Sequence, residues 1–127
     1  MPLWTWCYII LVIGLACRDT QLRLREGDSM QFVAGAACSR LCSLAAIWAF
    51  WHPGLATFMG KALFVTTLYA LVWDCMTMKH DARADVPAAQ LSPAQNRVAV
   101  WLTTLVAFAM MLPAYYLGFA AAYERLP

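Results

Sequence analysis

The sequence predicts an all-α membrane protein, a four-transmembrane-helix bundle made of two antiparallel hairpins. Three observations predict it. Hydrophobic residues fill 63% of the 127 positions, against roughly 45–50% in soluble domains. Charged residues make up 13%, about half the usual share. Most of those charges fall in two short segments, Asp19 to Asp28 and Asp74 to Arg97, which leaves four long apolar stretches around them. At about 20 residues per crossing, a chain of 127 residues holds four helices and no large soluble domain. A single polytopic domain over residues 1–127 is expected, with spans at about 3–17, 30–51, 55–73 and 98–123 and polar loops at 18–29 and 74–97.

The first apolar stretch is Leu3 to Cys17. No Lys or Arg precedes it, so a retained helix is expected over a secretory signal peptide. The run Gly14-Leu15-Ala16-Cys17 is only part of a lipoprotein cleavage box. With Met1 and Pro2 this helix would cover about 25 Å at about 1.5 Å per residue, short for a crossing. Arg18 to Ser29 then reads as a surface turn, because Leu22 and Leu24 alternate with Arg23 and Arg25. Gly27, Asp28 and Ser29 supply a loop end and a helix N-cap.

The second stretch, Met30 to Trp51, is rich in small residues. Gly35 with Ser39, and Ala34 with Cys38, form small-xxx-small pairs that let helices approach closely. This helix is expected to be the most enclosed. His52-Pro53-Gly54 reads as a tight turn, after which Leu55 begins a returning span to Trp73. Fusing Leu41 to Met59 into one kinked span would leave only Ala62 to Trp73, too short to cross. In the second polar segment Ser92-x-x-Gln95 is a capping box with Pro93 at the first helical position. The last helix should start there, before the membrane, and run to Tyr123. Pro113 should kink it and free the carbonyl of Ala109.

Charge asymmetry predicts orientation. Arg18, Arg23, Arg25, Lys79, Arg83 and Arg97 lie on one side; Arg125 and a snorkelling Lys61 lie on the other. The positive-inside rule puts both loops in the cytoplasm and both termini outside, in the inner (cytoplasmic) membrane. Trp4, Trp6, Trp48, Trp51 and Tyr123 would girdle the outer interface, with Trp73 and Trp101 at the inner one.

Arg40 breaks the pattern. It lies about 15 Å from either end of its span, where an Arg costs about 2.5–3.5 kcal/mol. With the loops drawn as above, no span holds an Asp or Glu near that depth, so no internal salt bridge is expected. The remaining acceptors are the hydroxyls of Thr66 and Thr67 and the carbonyl freed by Pro113. Arg40 is therefore expected to point into the bundle and donate to that kinked turn. Beside this hydrogen-bond hub stand two functional readings: an anion or lipid headgroup in a water-filled cavity, or an acidic partner on another subunit. The candidate buried-charge and helix-interaction residues are Arg40, Gly35, Ser39, Thr66, Thr67 and Pro113.

Other chemistry is sparse. The five cysteines (Cys7, Cys17, Cys38, Cys42 and Cys75) include no C-x-x-C and are expected to be packing residues. His52 and His80 fall on opposite sides, and Cys75 with His80 does not make a metal site, so no metal and no cofactor are expected. No nucleophile–base constellation, carboxylate pair or nucleotide loop points to an enzyme. A net charge of +2 with no basic stripe points away from nucleic acid. The reading is a small non-catalytic integral membrane protein, an accessory or interaction subunit whose partners are the lipid bilayer and other transmembrane helices, in a homo- or hetero-oligomer. The alternatives are a phage holin-like oligomerising permeabiliser and a small channel or transporter for an anionic solute using Arg40.

Overall fold

Five helices account for most of the chain: α1 (Leu3–Glu26), α2 (Met30–Trp51), α3 (Pro53–Met59), α4 (Ala62–Asp85) and α5 (Pro93–Tyr123). This computed structural model describes residues 1–85 and 90–124, and no strand occurs among them. Pro87 of the expected second loop, Arg125 of the tail and the side chain of Asp85 lie outside the description. Helices α1, α2 and α5 are each long and apolar enough to cross a membrane. The pair α3 and α4 is a fourth candidate, broken by a bend of 88°.

The helix starts follow the sequence signals. The Ser29 hydroxyl accepts from the Phe32 amide at 3.3 Å. Ser92 and Gln95 form the full reciprocal capping box, with Pro93 in the first turn. Gly27 ends α1 at φ 75°, a left-handed conformation that glycine takes without strain, and its amide reaches back to Arg23 and Leu24.

Three boundaries differ from the expectation, each for a physical reason. Residues 18–26 are not a surface turn but the last turns of α1. The segment Arg18 to Glu26 contains no Gly or Pro and is built largely of good helix formers, so nothing stops the helix before Gly27. Residues 74–85 likewise continue α4 instead of opening a loop, and α5 starts at Pro93, so the expected loop at 74–97 shrinks to the stretch between them. Finally, the span expected at 55–73 is interrupted. Pro53 opens only the short α3, and Gly60 at φ 51° ends it. Lys61 sits exposed in this turn instead of inside a span. Helix α4 can still be 24 residues long because it recruits the polar residues after Trp73.

Helix α2 packs against α1, α3, α4 and α5, and α4 packs along α5. In its most apolar window 39% of α2 residues are buried, against 17% for α1 and 22% for α5; of these three, α2 is the most enclosed, as its small residues suggest. Only one of its two small pairs is used. Gly35 lies directly against the Trp73 ring and Ser39 is fully buried, whereas Ala34 and Cys38 are exposed. The main core joins Ile9, Val12, Ile47, Ala70, Met111 and Leu117. A second cluster of Ala46, Ala49, Ala56, Leu63, Ala121 and Ala122 seats α3. The start of α1 meets the end of α2 through Trp4–Trp51 and Trp6–Trp48 ring contacts at 6.2 and 5.9 Å. Of the cysteines, Cys42 packs against the main core as expected, whereas Cys7, Cys17, Cys38 and Cys75 are exposed on the helix surfaces.

Gly118 marks the tightest contact of α5. A Cβ there would meet the Thr67 side chain and the Ala46 Cβ at 2.5–2.8 Å. Gly118→Ala is expected to destabilise the protein by about 1–3 kcal/mol through overpacking. Gly14 has nothing within 4 Å of the same position, so Gly14→Ala should be neutral or stabilise by about 0.5–1 kcal/mol. Unfolding of both variants in detergent, followed by circular dichroism, compares them.

Candidate functional site

Helical spacing turns one row of each long helix inward. On α1 the row runs Thr5, Ile9, Val12, Ala16, Asp19, Arg23. On α4 it runs Leu63, Thr67, Ala70, Asp74, Thr77, Asp81. Both rows advance by three or four residues, the period of one helix face. Because α1 and α4 stay helical past residues 17 and 73, their acids are carried inward along with the apolar residues. There they meet Arg40.

The Arg40 guanidinium donates from Nη1 to Asp74 Oδ2 at 2.8 Å and from Nη2 to Asp19 Oδ2 at 3.4 Å. Asp74 is 1% exposed and Arg40 12%. The Asp74 carboxylate also accepts from the Ser39 hydroxyl at 3.3 Å and from the Tyr115 hydroxyl. Helices α1, α2, α4 and α5 thus each contribute a side chain to one cluster. One further turn along, Arg23 donates to Asp81 at 2.6 Å and lies 4.3 Å from the centre of the Phe32 ring. Asp81 in turn lies 3.5 Å from His80 Nδ1.

The expected environment of Arg40 is therefore corrected. It does point into the bundle, but two internal carboxylates hold it, not the hydroxyls and carbonyl expected. Thr66 and Thr67 donate back to the Leu63 carbonyl at 3.0 and 2.8 Å, closing their own helix turn. The break at Pro113 is occupied by Tyr8 of α1. Its hydroxyl donates to the Met110 carbonyl at 2.8 Å and accepts from the Ala114 amide at 3.2 Å. A hydroxyl both donates and accepts, whereas a guanidinium only donates and could not have satisfied the Ala114 N–H. Of the residues singled out from sequence, Arg40 and Ser39 share the cluster. Gly35 lies one turn away, where its carbonyl accepts from Tyr69 at 3.2 Å; Thr66, Thr67 and Pro113 lie elsewhere. Asp19, Asp74, Tyr115 and Tyr8 were missed. The inward rows on α1 and α4 could have found the two acids.

Beside the cluster is a cavity of about 330 Å³, at the lower end of the size of small-molecule sites. It lies where α1, which packs chiefly on α2, stands off α4 and α5. Arg18, Asp19, Arg40 and Asp81 supply its charged lining; Leu15, Leu102, Val106, Ala107, Met110 and Met111 supply much of its apolar lining. The charges that line the cavity balance, with Arg18 and Arg40 against Asp19 and Asp81, and the Arg23–Asp81 and Arg40–Asp74 pairs adjoin it. A single group of metal-ligand types occurs among the described residues. Glu26, Asp28 and His80 bring one ligand atom each within 4.8 Å of one another. Glu26 and His80 are exposed, and no metal is assigned to the group.

Two stability tests follow from this geometry. Arg40→Leu leaves Asp74 buried without its cation and should cost about 3–5 kcal/mol. Arg40→Leu combined with Asp74→Leu should cost less than Arg40→Leu alone; strictly additive costs in detergent unfolding would show that the pair is not coupled. Tyr8→Phe removes the hydroxyl's bonds to the Met110 carbonyl and Ala114 amide and should cost about 1–3 kcal/mol, with increased amide exchange at Ala114 by NMR.

No protein-family model matches the chain, and no curated protein or solved structure matches it.

Proposed function

We propose that this is a non-catalytic integral membrane protein that binds a small amphiphile of the bilayer, as an accessory component of its membrane. In this reading the chain crosses four times as two antiparallel hairpins, with α3 as a short break near the outer surface. The ends rich in Lys and Arg lie in the cytoplasm, both termini lie outside, and the membrane is the inner (cytoplasmic) one, following the positive-inside rule.

The cavity beside Arg40 carries the proposal. Its apolar lining suits a hydrocarbon or ring system, and its charged lining suits a head group that can both donate and accept hydrogen bonds. Because the surrounding charges balance, the matching head group is uncharged or zwitterionic. The same balance counts against an anion path through Arg40, whose guanidinium is committed to two carboxylates. It also removes the need for an acid on another subunit. Holin-like permeabilisation needs polar helix faces that can line an oligomeric pore, and here Arg40, Asp74, Ser39 and Tyr115 are turned inward. Association with other helices remains open to the exposed apolar faces of α1 and α5.

Native mass spectrometry of protein extracted in mild detergent tests the reading. The wild-type protein should retain a non-covalent amphiphile. Ala107→Trp, which fills the cavity, should reduce that retention by at least about tenfold, with helicity and elution volume unchanged. A ligand-free wild-type protein, or equal retention in a folded Ala107→Trp variant, would overturn it.

A further inference from the structure

The charges of the inner cluster are balanced; those at the rim are not. Where α4 ends and α5 begins, the two helices enclose a second cavity of about 460 Å³, lined by Lys79, Arg83, Asn96, Arg97, Val100 and Trp101. Among the described residues it holds three cations, one carboxamide and no carboxylate. Among the described residues no acidic side chain pairs with Lys79, Arg83 or Arg97, in contrast to Arg23 and Arg40. Lys79 and Arg83 are one helix turn apart on α4, so they share a face and repel each other. Arg97 faces the same cavity from the first turns of α5. Three cations converging on one concave space favour an anion there, and guanidinium groups match the geometry of phosphate oxygens.

The neighbouring residues indicate which phosphate. Trp101 is 57% exposed, and Lys79 Nζ lies 5.3 Å from the centre of its ring. An amphipathic indole with a cation on its face is suited to headgroup depth. Continuing along α5 from Trp101 on the same helix face, Leu105 and Leu112 are 60% and 49% exposed. These form an apolar track that starts beside the cations and suits acyl chains. Basic pockets between membrane helices are a common receptacle for anionic headgroups.

We infer that the groove of Lys79, Arg83, Asn96, Arg97 and Trp101 binds the headgroup of an anionic phospholipid, its phosphate on the three cations and its chains along α5. This rests on the membrane-spanning reading but not on the amphiphile cavity. Three positive charges exceed one phosphodiester, so a lipid carrying two phosphates should bind better than one carrying one.

The test uses the full-length protein in nanodiscs or detergent, titrated with cardiolipin, phosphatidylglycerol, phosphatidylcholine or inorganic phosphate, and read by native mass spectrometry and thermal shift. Cardiolipin should bind more tightly than phosphatidylglycerol, and phosphatidylcholine should give no comparable stabilisation. Each of Lys79→Gln, Arg83→Gln and Arg97→Gln should weaken cardiolipin binding about fivefold. Arg83→Lys with Arg97→Lys, which keeps the charge, should retain most of the binding. Arg25→Gln, an exposed cation on α1 outside the groove, should leave it unchanged. Equal losses with Arg25→Gln, undiminished binding in the triple Gln variant, or full competition by inorganic phosphate would overturn the assignment. Ala107→Trp separates the two sites: it should remove the retained amphiphile and leave cardiolipin binding intact.

Discussion

An arginine placed in the middle of an apolar helix dictates where its neighbours must end. Arg40 needs carboxylates at its own level, and the carboxylates available in this chain lie just beyond the apolar parts of α1 and α4. The bundle meets the demand by keeping both helices intact across the change from apolar to polar sequence. Asp19 and Asp74 therefore arrive inside and not in loops. Ser39 and Tyr115 then fill the remaining acceptor capacity of Asp74. Such a cluster contributes little net stability compared with a well-packed apolar core, but removing one member leaves the others buried and uncompensated. Its main effect is positional: it fixes the height of α1 and α4 against α2.

Much of this could be read from sequence. The Ser92 capping box, the Ser29 cap, the use of Gly35 and Ser39 and the inward direction of Arg40 all follow from local chemistry, and the structure shows each of them. Two of the three boundary differences share one cause: the end of hydrophobicity is not the end of a helix, whereas the third is a break at Gly60 within an apolar run. Helix ends are set by Gly, Pro and caps, and neither Arg18 to Glu26 nor Asp74 to Asp85 contains a Gly or Pro. The inward rows continue through both segments with unbroken period, so the two acids were within reach of a stricter count. Tyr8 was not. Nothing on α1 indicates that its hydroxyl serves a proline on α5 more than a hundred residues away, because that pairing depends on how the helices are arranged in three dimensions.

The two cavities differ in electrostatics as much as in location. One adjoins charges that cancel, the other charges that add. In the proposed reading the first suits an electrically neutral guest and the second an anion. Of the seven acids in this chain of net charge +2, Asp19, Asp74 and Asp81 face arginines inside the bundle, away from the basic groove.

The Tyr8 contact bears on the order of assembly. Beside Pro113, the Met110 carbonyl and the Ala114 amide of α5 each bond to a side chain of α1, so part of the last helix's hydrogen bonding comes from the first. Synthesis runs from the N-terminus, so α1 is in place when α5 emerges. In the folded bundle α1 and α2 hold the Asp19–Arg40 pair between them. The first two helices thus form a partly neutralised platform that carries in advance the group the final helix lacks. Detaching α1 by circular permutation, or supplying it as a separate peptide, would impair a helix at the opposite end of the chain.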